Sequence, residues 1–225
     1  MEKLYKSSER IVVLVEDLLT VSRIEQGRMM LTFETIDFKP FLEDALAEKD
    51  EEVREAKLDL TFSAEENEDF TVGIDEKKFK QVVHHILDNA IKYTPAPGSI
   101  RVALEVDSTM HKVRMSISDT GIGMEKEQID AIFERFNLKA KVEDTEEDIK
   151  ENMGNENSQK VPAKNKREVK AETIKSKMME KRTPGIGLYI AQEIIEAHHG
   201  SIRIESAGTD GGTTVVVELP SVEGK

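Results

Sequence analysis

The stretch of residues 81–95 constrains the fold of this chain more than any other. Its apolar residues recur at intervals of three and four, which predicts one buried face of an α-helix: Val82, Val83, Ile86, Leu87, Ala90 and Ile91. Asn89 and Lys92 are three residues apart and therefore share a second, polar face. An amide oxygen and an ammonium group on one face could hold a metal ion and a phosphate together. Taken alone, the stretch fits a core helix with a solvated polar face better than a binding site.

Composition excludes several classes of function. The chain has 225 residues, enough for one large domain with an appendage or for two small domains. Its formal net charge of −13 argues against non-specific nucleic-acid binding, which needs a basic surface. Without cysteine there is neither a disulfide framework nor a thiolate zinc site. No run of apolar residues is long enough for a membrane helix and no signal peptide is visible, so we expect a cytoplasmic chain.

Residues 1–26 predict a helix with an unusually wide apolar stripe. Its heptad positions are apolar: Leu4, Ile11, Leu14, Leu18 and Val21. Val12, Val15 and Leu19 widen the stripe, which favours a four-helix bundle formed by two chains. A helix packed on its own domain is the alternative. Gly27 is the expected stop of this helix.

The next elements alternate between helices and strands. Asp37 is expected to cap a helix over residues 38–56, and Asp75 to cap the helix that carries the opening stretch. Residues 58–62 and 70–73 predict strands, residues 100–106 and 113–118 predict a hairpin, and residues 201–206 and 213–219 predict two closing strands. His198 and His199 end a helix over residues 188–198, where we expect them to interact with the helix dipole.

Two glycine pairs mark places where backbone can approach a ligand. Asp119 ends a strand and is followed by Gly121 and Gly123. Gly185 and Gly187 open a helix, where free backbone N–H groups can bind an anion. Between them, a short helix over residues 129–136 carries Phe133 and Phe136, and residues 137–184 form a long charged excursion, acidic first and basic later.

Taken in order, these elements resemble the N, G1, F and G2 boxes of the ATP-binding domain of sensor histidine kinases. This domain belongs to a wider family shared with DNA gyrase, the ninety-kilodalton chaperone and the mismatch-repair ATPase. The resemblance covers residues 31–220 and implies an α/β fold, a two-layer sandwich in which helices cover a mixed sheet. Residues 17–25 look like the end of the dimerisation and phosphotransfer hairpin. The implied domains are therefore a partial dimerisation helix, 1–30, and an ATP-binding catalytic domain, 31–222, whose lid is residues 137–184.

The resemblance also implies roles for individual residues. Asn89 would bind Mg²⁺, Lys92 a phosphate, Tyr93 the adenine, and Asp119 the adenine amino group. Gly121 and Gly123 would let the adenine and the lid approach the backbone. Phe133 and Phe136 would pack the base of the lid. Gly185, Gly187 and Leu188 would close over the phosphates. His85 and Thr214 are two further candidates for the ATP site, and the cofactors are ATP and Mg²⁺.

Four features depart from the family pattern. No histidine of this chain stands in the context of the phosphoacceptor, so the acceptor is expected on another chain. His85 stands where the N box usually has Asn, and Thr183-Pro184 where the G2 box usually has Gly-Thr or Gly-Gly. The lid is also unusually long.

The expected function is that of the catalytic domain of a two-component sensor histidine kinase. It would transfer the γ-phosphoryl group of Mg-ATP to a histidine that is not on this chain. Its partners would be a histidine-bearing phosphotransfer domain, a response regulator and a second copy bound through residues 1–26. The alternative is a non-catalytic ATP-binding module that docks a kinase or regulator. A gyrase-like ATPase is disfavoured because His85 stands where that enzyme needs a carboxylate.

Overall fold

The computed structural model describes Val15, Asp17 and residues 19–24, 26–136 and 186–222. The chain divides into two compact units. One comprises Met1–Ile129 and Gly187–Lys225, and the other comprises Asp130–Ile186. The described helices, strands and contacts belong to the first unit, apart from residues 130–136 of one helix and Ile186, the first residue of another.

The described N-terminal residues form a helical segment, Val15 to Ile24 without residues 16 and 18, which we call the N-terminal segment. It ends at Gly27, whose φ of 63° is left-handed and whose N–H donates to the Ile24 carbonyl. Asp17, Thr20, Val21 and Ile24 are buried, whereas Val15 is 51% and Leu19 52% exposed. One face of the segment therefore packs on its own unit, and the opposite face remains open.

The first half of the domain contains three strands and three helices. They are β1 (Glu34–Asp37), α1 (Phe38–Ala47), α2 (Asp50–Glu55), β2 (Leu58–Ala64), β3 (Thr71–Ile74) and α3 (Glu76–Tyr93). Asp37 and Asp75 cap α1 and α3 as predicted, accepting hydrogen bonds from the Lys39 and Lys78 N–H groups.

The single helix predicted over residues 38–56 is wrong, because the chain turns at Glu48 and Lys49 between α1 and α2. At this turn Lys49 Nζ lies 2.5 Å from Asp88 Oδ1 of α3 and 3.1 Å from Glu52 Oε1. The Lys49–Asp88 ion pair joins residues distant in sequence. Local periodicity could not predict the helix break that accompanies it.

The second half completes the main sheet. It contains β4 (Gly98–Asp107), β5 (Lys112–Asp119), α4 (Lys126–Phe136), α5 (Ile186–Ala197), β6 (Ser201–Ser206) and β7 (Thr213–Pro220). The five-stranded sheet has the order β2-β4-β5-β7-β6; β2 is parallel to β4 and all other pairs are antiparallel. β1 and β3 form a separate antiparallel pair. The predicted α/β sandwich with a mixed sheet is confirmed.

The core lies between one face of the sheet and the helices. Alternate residues of the central strands are buried, among them Val113, Met115 and Ile117 of β5 and Val215, Val217 and Leu219 of β7. The helices contribute Phe79, Val83 and Ile86 from α3 and Ile190 and Ile194 from α5. Each large side chain so buried contributes about 1.5–3 kcal/mol. This packing fixes α3 and α5 as the two helices next to the sheet's central strands.

On the other face, Glu218 of β7 links three strands by ion pairs. Its carboxylate lies 3.0 Å from Lys112 Nζ and 3.0 Å from Arg114 Nη2, both on β5, and 2.9 Å from Arg203 Nη1 on β6. The hydrogen bond from Lys112, with those from Arg203 and Arg114, lowers the pKa of Glu218 to about 2. Glu218 therefore stays ionised at any physiological pH and holds β5, β6 and β7 in register.

His198, which we expect from its place at a helix end to interact with the helix dipole, contacts a carbonyl of the last turn as a neutral ring. It is buried; its Nδ1 lies 2.7 Å from the Ile194 carbonyl oxygen, and its Nε2 accepts the Asp75 N–H at 2.9 Å. Burial lowers its pKa. A ring that accepts at Nε2 is neutral, so His198 links the end of α5 to the start of α3 as an uncharged side chain.

Candidate functional site

α3 carries the polar residues of the opening stretch to the end of the helix. Asn89 is half-buried one turn before the C-terminus, and its amide has no hydrogen-bond partner among the residues that the structure describes. Lys92 is exposed and donates to the Tyr93 hydroxyl at 3.0 Å, with its Nζ 4.7 Å from the centre of the Tyr93 ring. The Thr94 hydroxyl closes the helix by donating to the Ala90 carbonyl at 2.7 Å. This end of α3 therefore offers an amide oxygen, a cation and an aromatic ring.

Asp119 ends β5, and one of its carboxylate oxygens is bonded to the backbone. Oδ1 accepts the Gly121 N–H at 2.8 Å and the Thr213 N–H at 3.2 Å. Across the described part of the chain, Oδ2 has no hydrogen-bond partner. Burial raises the pKa of Asp119, although the two backbone hydrogen bonds act to lower it. A half-buried carboxylate held in place through one oxygen leaves the other for a ligand that donates a hydrogen bond.

The loop after Asp119 packs directly on the end of α3. The Ile122 N–H donates to the Tyr93 carbonyl at 3.2 Å, and a Cβ on Gly121 would lie 2.6 Å from that same oxygen. Gly123 has φ 67°, and a Cβ there would lie 2.0 Å from the Gly208 carbonyl oxygen. Side chains at these two positions would force α3, this loop and the 207–212 turn apart. The glycines thus bring Asp119 to the Tyr93 end of α3.

The start of α5 packs on α3 from another side. A Cβ on Gly187 would lie 2.9 Å from His85 Nδ1, so the Gly187 backbone contacts the imidazole ring. Leu188, the next residue, is buried. Amide groups in the first turn of a helix have no intrahelical partner, so the start of α5 can bind an anion.

His85 is buried on α3 and contacts the N-terminal segment. Its Nε2 lies 3.2 Å from Asp17 Oδ1, and Gln81 Nε2 lies 3.4 Å from the same ring nitrogen. The sequence predicts a ring that binds a metal or a hydrogen-bond partner, without indicating which. A pairing between residues 68 positions apart, Asp17 and His85, has no local sequence signal.

Thr214 lies on the opposite side of the sheet from Asp119. Its hydroxyl is 2.9 Å from that of Ser118, and both residues alternate with the buried positions Val215 and Ile117. The residue that meets Asp119 is Thr213, its register partner across β5 and β7. Counting strand alternation from the buried Val215 would have indicated Thr213 as the candidate.

The predicted residues fall into three groups. Nine lie on α3, in the 119–124 loop that packs on it, or at the start of α5: His85, Asn89, Lys92, Tyr93, Asp119, Gly121, Gly123, Gly187 and Leu188. Thr214 is directed away from this region. Gly185 and the side chains of Phe133 and Phe136 lie outside what the structure describes.

Comparison with protein families gives a match over most of the domain. Residues 74–223 match the model described as histidine kinase-, DNA gyrase B- and HSP90-like ATPase. This range contains α3, both glycine pairs and the last six elements of the fold.

Curated relatives match nearly the whole chain. The non-motile and phage-resistance protein of Caulobacter vibrioides is 28% identical over 223 residues, covering 97% of this chain and 22% of that protein. The sensor histidine kinase WalK of Bacillus subtilis is 27% identical over 216 residues, covering 96% of this chain and 29% of that protein. The chain thus spans less than a third of the length of these two relatives.

Solved structures show the same fold. The Acinetobacter baumannii histidine kinase AdeS matches with a TM-score of 0.64 and 22% identity, over 97% of this chain and 82% of that one. The histidine kinase ThkA, solved in complex with the response regulator protein TrrA, matches with a TM-score of 0.59 and 20% identity, over 97% of this chain and 49% of that one.

Within the described residues, no helix is long and apolar enough to cross a membrane.

Proposed function

Because the chain belongs to the family of histidine kinase-, DNA gyrase B- and HSP90-like ATPases, we propose that it binds Mg-ATP along α3 and acts as the catalytic domain of a sensor histidine kinase. One observation carries the proposal: the 119–124 loop and the start of α5 both contact α3, the helix that carries Asn89. Tyr93 contacts the 119–124 loop at the end of α3, and His85 contacts Gly187 of α5 further back. Asn89 lies between these two contacts on α3.

The residues present fit ATP and Mg²⁺. The Asn89 amide oxygen is a hard ligand without a partner in the described part of the chain, which suits Mg²⁺. Asp119 has one carboxylate oxygen free to accept a hydrogen bond, as the adenine amino group requires. Bound Mg²⁺ would neutralise charge on the phosphate oxygens.

The chain's own groups would position the nucleotide. Asp119 would accept from the adenine amino group, and Lys92 would place a positive charge near the phosphates. The first amides of α5, beginning near Gly187, would donate to phosphate oxygens. Gly121 and Gly123 let the loop pack against Tyr93 and Gly208, which would hold Asp119 beside the base. Catalysis of phosphoryl transfer is mostly positioning and charge stabilisation of this kind.

The proposed reaction transfers the γ-phosphoryl group to a histidine on another chain. A histidine ring nitrogen forms a bond to the γ-phosphorus, the bond from that phosphorus to the bridging oxygen breaks, and ADP leaves. The names of the relatives, among them sensor histidine kinase WalK, support this reading. The ThkA complex supports a response regulator as the later acceptor.

Phosphotransfer with γ-labelled ATP tests the proposal. The chain is mixed with a separately purified histidine-bearing phosphotransfer domain from a sensor kinase, with the acceptor His→Gln variant of that domain as control. We expect label on the parent acceptor and none on the variant. ATP binding without labelling of any supplied acceptor would instead favour a non-catalytic ATP-binding module.

A further inference from the structure

Asp17 and His85 form a buried pair that the proposed nucleotide contacts do not use. Asp17 Oδ1 lies 3.2 Å from His85 Nε2 and accepts a hydrogen bond from Gln81 Nε2 at 3.2 Å. The side chains of Asp17 and His85 are each only 10% exposed. A carboxylate withdrawn from water to this extent requires such partners. The position of the N-terminal segment is therefore tied to α3 at this point.

The Nδ1 side of the same ring contacts the start of α5. A Cβ on Gly187 would lie 2.9 Å from Nδ1 and 3.2 Å from Cγ of His85, so the ring rests on the Gly187 backbone. Nε2 thus faces Asp17 while Nδ1 faces Gly187. A single imidazole separates the N-terminal segment from the first turn of α5.

His85 also lies one helical turn before Asn89 on α3, so the two share a face of that helix. A shift of the ring would change the packing at the start of α5, where the proposed phosphate contacts begin. We infer that Asp17 and His85 are a positioning pair, through which the docked N-terminal segment holds the start of α5 in place for the phosphates. The inference rests on the proposed function, because it concerns affinity for Mg-ATP at that site.

Thermodynamic linkage gives the inference a measurable consequence. If docking of the N-terminal segment orders the start of α5, then nucleotide binding and docking strengthen each other by the same factor. Couplings between sites are typically about 5- to 150-fold in affinity. A contact that only stabilises the fold would change the unfolding temperature and leave nucleotide affinity unchanged.

Calorimetric titration of Mg-ATP into variants of the 225-residue chain separates a positioning role from a contact that only stabilises the fold. We expect Asp17→Ala to weaken affinity by at least about five-fold. Adding Asp17→Ala to His85→Ala should cause no further loss of affinity, since the His85 ring through which Asp17 acts is already absent. Asp17→Asn keeps an oxygen acceptor in the same place and should retain most of the affinity.

A second histidine–carboxylate pair, which joins α3 to the α1–α2 turn, provides the control. His84 Nε2 lies 3.2 Å from Glu48 Oε2 of the α1–α2 turn, the same separation as in the Asp17–His85 pair. His84→Ala and Glu48→Ala should leave Mg-ATP affinity within about two-fold of the parent, the range of independent sites.

Amide hydrogen exchange gives a second readout that needs no substitution. Mg-ATP should slow exchange at residues 19–24 of the parent, because the nucleotide stabilises docking of the segment, and this slowing should be absent in Asp17→Ala. If Mg-ATP leaves exchange in the parent segment unchanged, the inference is wrong even where Asp17→Ala fails to fold.

Two other outcomes separate the inference from the proposed function. A folded Asp17→Ala variant that binds Mg-ATP as well as or better than the parent would overturn the positioning role alone. A parent chain that binds no Mg-ATP would overturn the proposed function, and the positioning role with it.

Discussion

At the scale of single residues, Asp119 combines a structural cost with a proposed role in binding. Burial raises its pKa above the ordinary 3.8, so the folded state binds the carboxyl proton more tightly than the unfolded state. The stability of the protein therefore falls as pH rises from 3.8 towards the raised pKa, and at neutral pH the charge remains a cost. A buried charge maintained at such a cost is typical of a functional site.

Replacing Asp119 with Asn should therefore separate stability from binding. The Asn oxygen can still accept from Gly121 and Thr213, so we expect the unfolding temperature without ligand to be unchanged or higher. The upward shift with Mg-ATP should disappear, because the group that accepts from the adenine amino group is lost. Thermal unfolding with and without Mg-ATP measures the unfolding temperature of the free protein and its shift on binding. An undiminished shift in the variant would show that Asp119 does not contact the nucleotide.

Residue-level prediction from the sequence depends on whether the signal is local. The apolar spacing of α3 predicts the side on which Asn89 lies, because helical periodicity is a local property. For Thr214 the sequence does not fix the face of the sheet, since a shift of one residue moves a side chain to the other face, and the register pairs Asp119 with Thr213. The partner of His85 could not be predicted, because Asp17 reaches it only through tertiary packing.

At the scale of elements, His198 shows how α5 is joined to α3. As a neutral ring it accepts from the Asp75 N–H and lies against the Ile194 carbonyl. Its folded pKa lies below the ordinary 6.5, so the unfolded state binds the proton more tightly. Stability then rises with pH through the window between the two values, and is lost as pH falls below about 6.5.

We expect His198→Gln to be less stable than the parent by about 1–3 kcal/mol at pH 7.5, the cost of leaving a buried polar group without its partner. The variant should also lose less stability between pH 7.5 and 5.5. Burial lowers the pKa of His84 as well. The contribution of His198 is therefore the difference between the parent and the variant in the stability lost between pH 7.5 and 5.5.

Urea unfolding at the two pH values measures this difference. His111→Asn is the control, in an exposed turn at φ 50° that Asn tolerates. Identical pH dependence in His198→Gln and the parent would contradict a neutral, buried His198.

Element boundaries follow the same division between local and distant causes. The caps Asp37 and Asp75 and the stop at Gly27 are predictable, since capping depends on a few neighbouring residues. The strands of the main sheet are also predictable from their alternation. The break between α1 and α2 could not be predicted, because Asp88, which pairs with Lys49 at this turn, is remote in sequence.

At the scale of the whole molecule, the order of weak motifs is more informative than any one of them. The polar face of α3 alone fits a core helix, and a glycine pair alone fits a turn. Only the fold shows that Tyr93 touches the first glycine loop and His85 touches Gly187. α3 is therefore the common element of the candidate site, and the central claim is that it binds Mg-ATP through Asn89.

Calorimetric titration of Mg-ATP into the parent, Asn89→Ala and the control Lys77→Ala tests this claim most directly. Lys77 is exposed at the opposite end of α3. We expect the parent and the control to bind Mg-ATP equally, and Asn89→Ala to show no measurable binding, because the proposed Mg²⁺ ligand is gone. Binding of Mg-ATP by Asn89→Ala with the affinity of the parent would contradict the account.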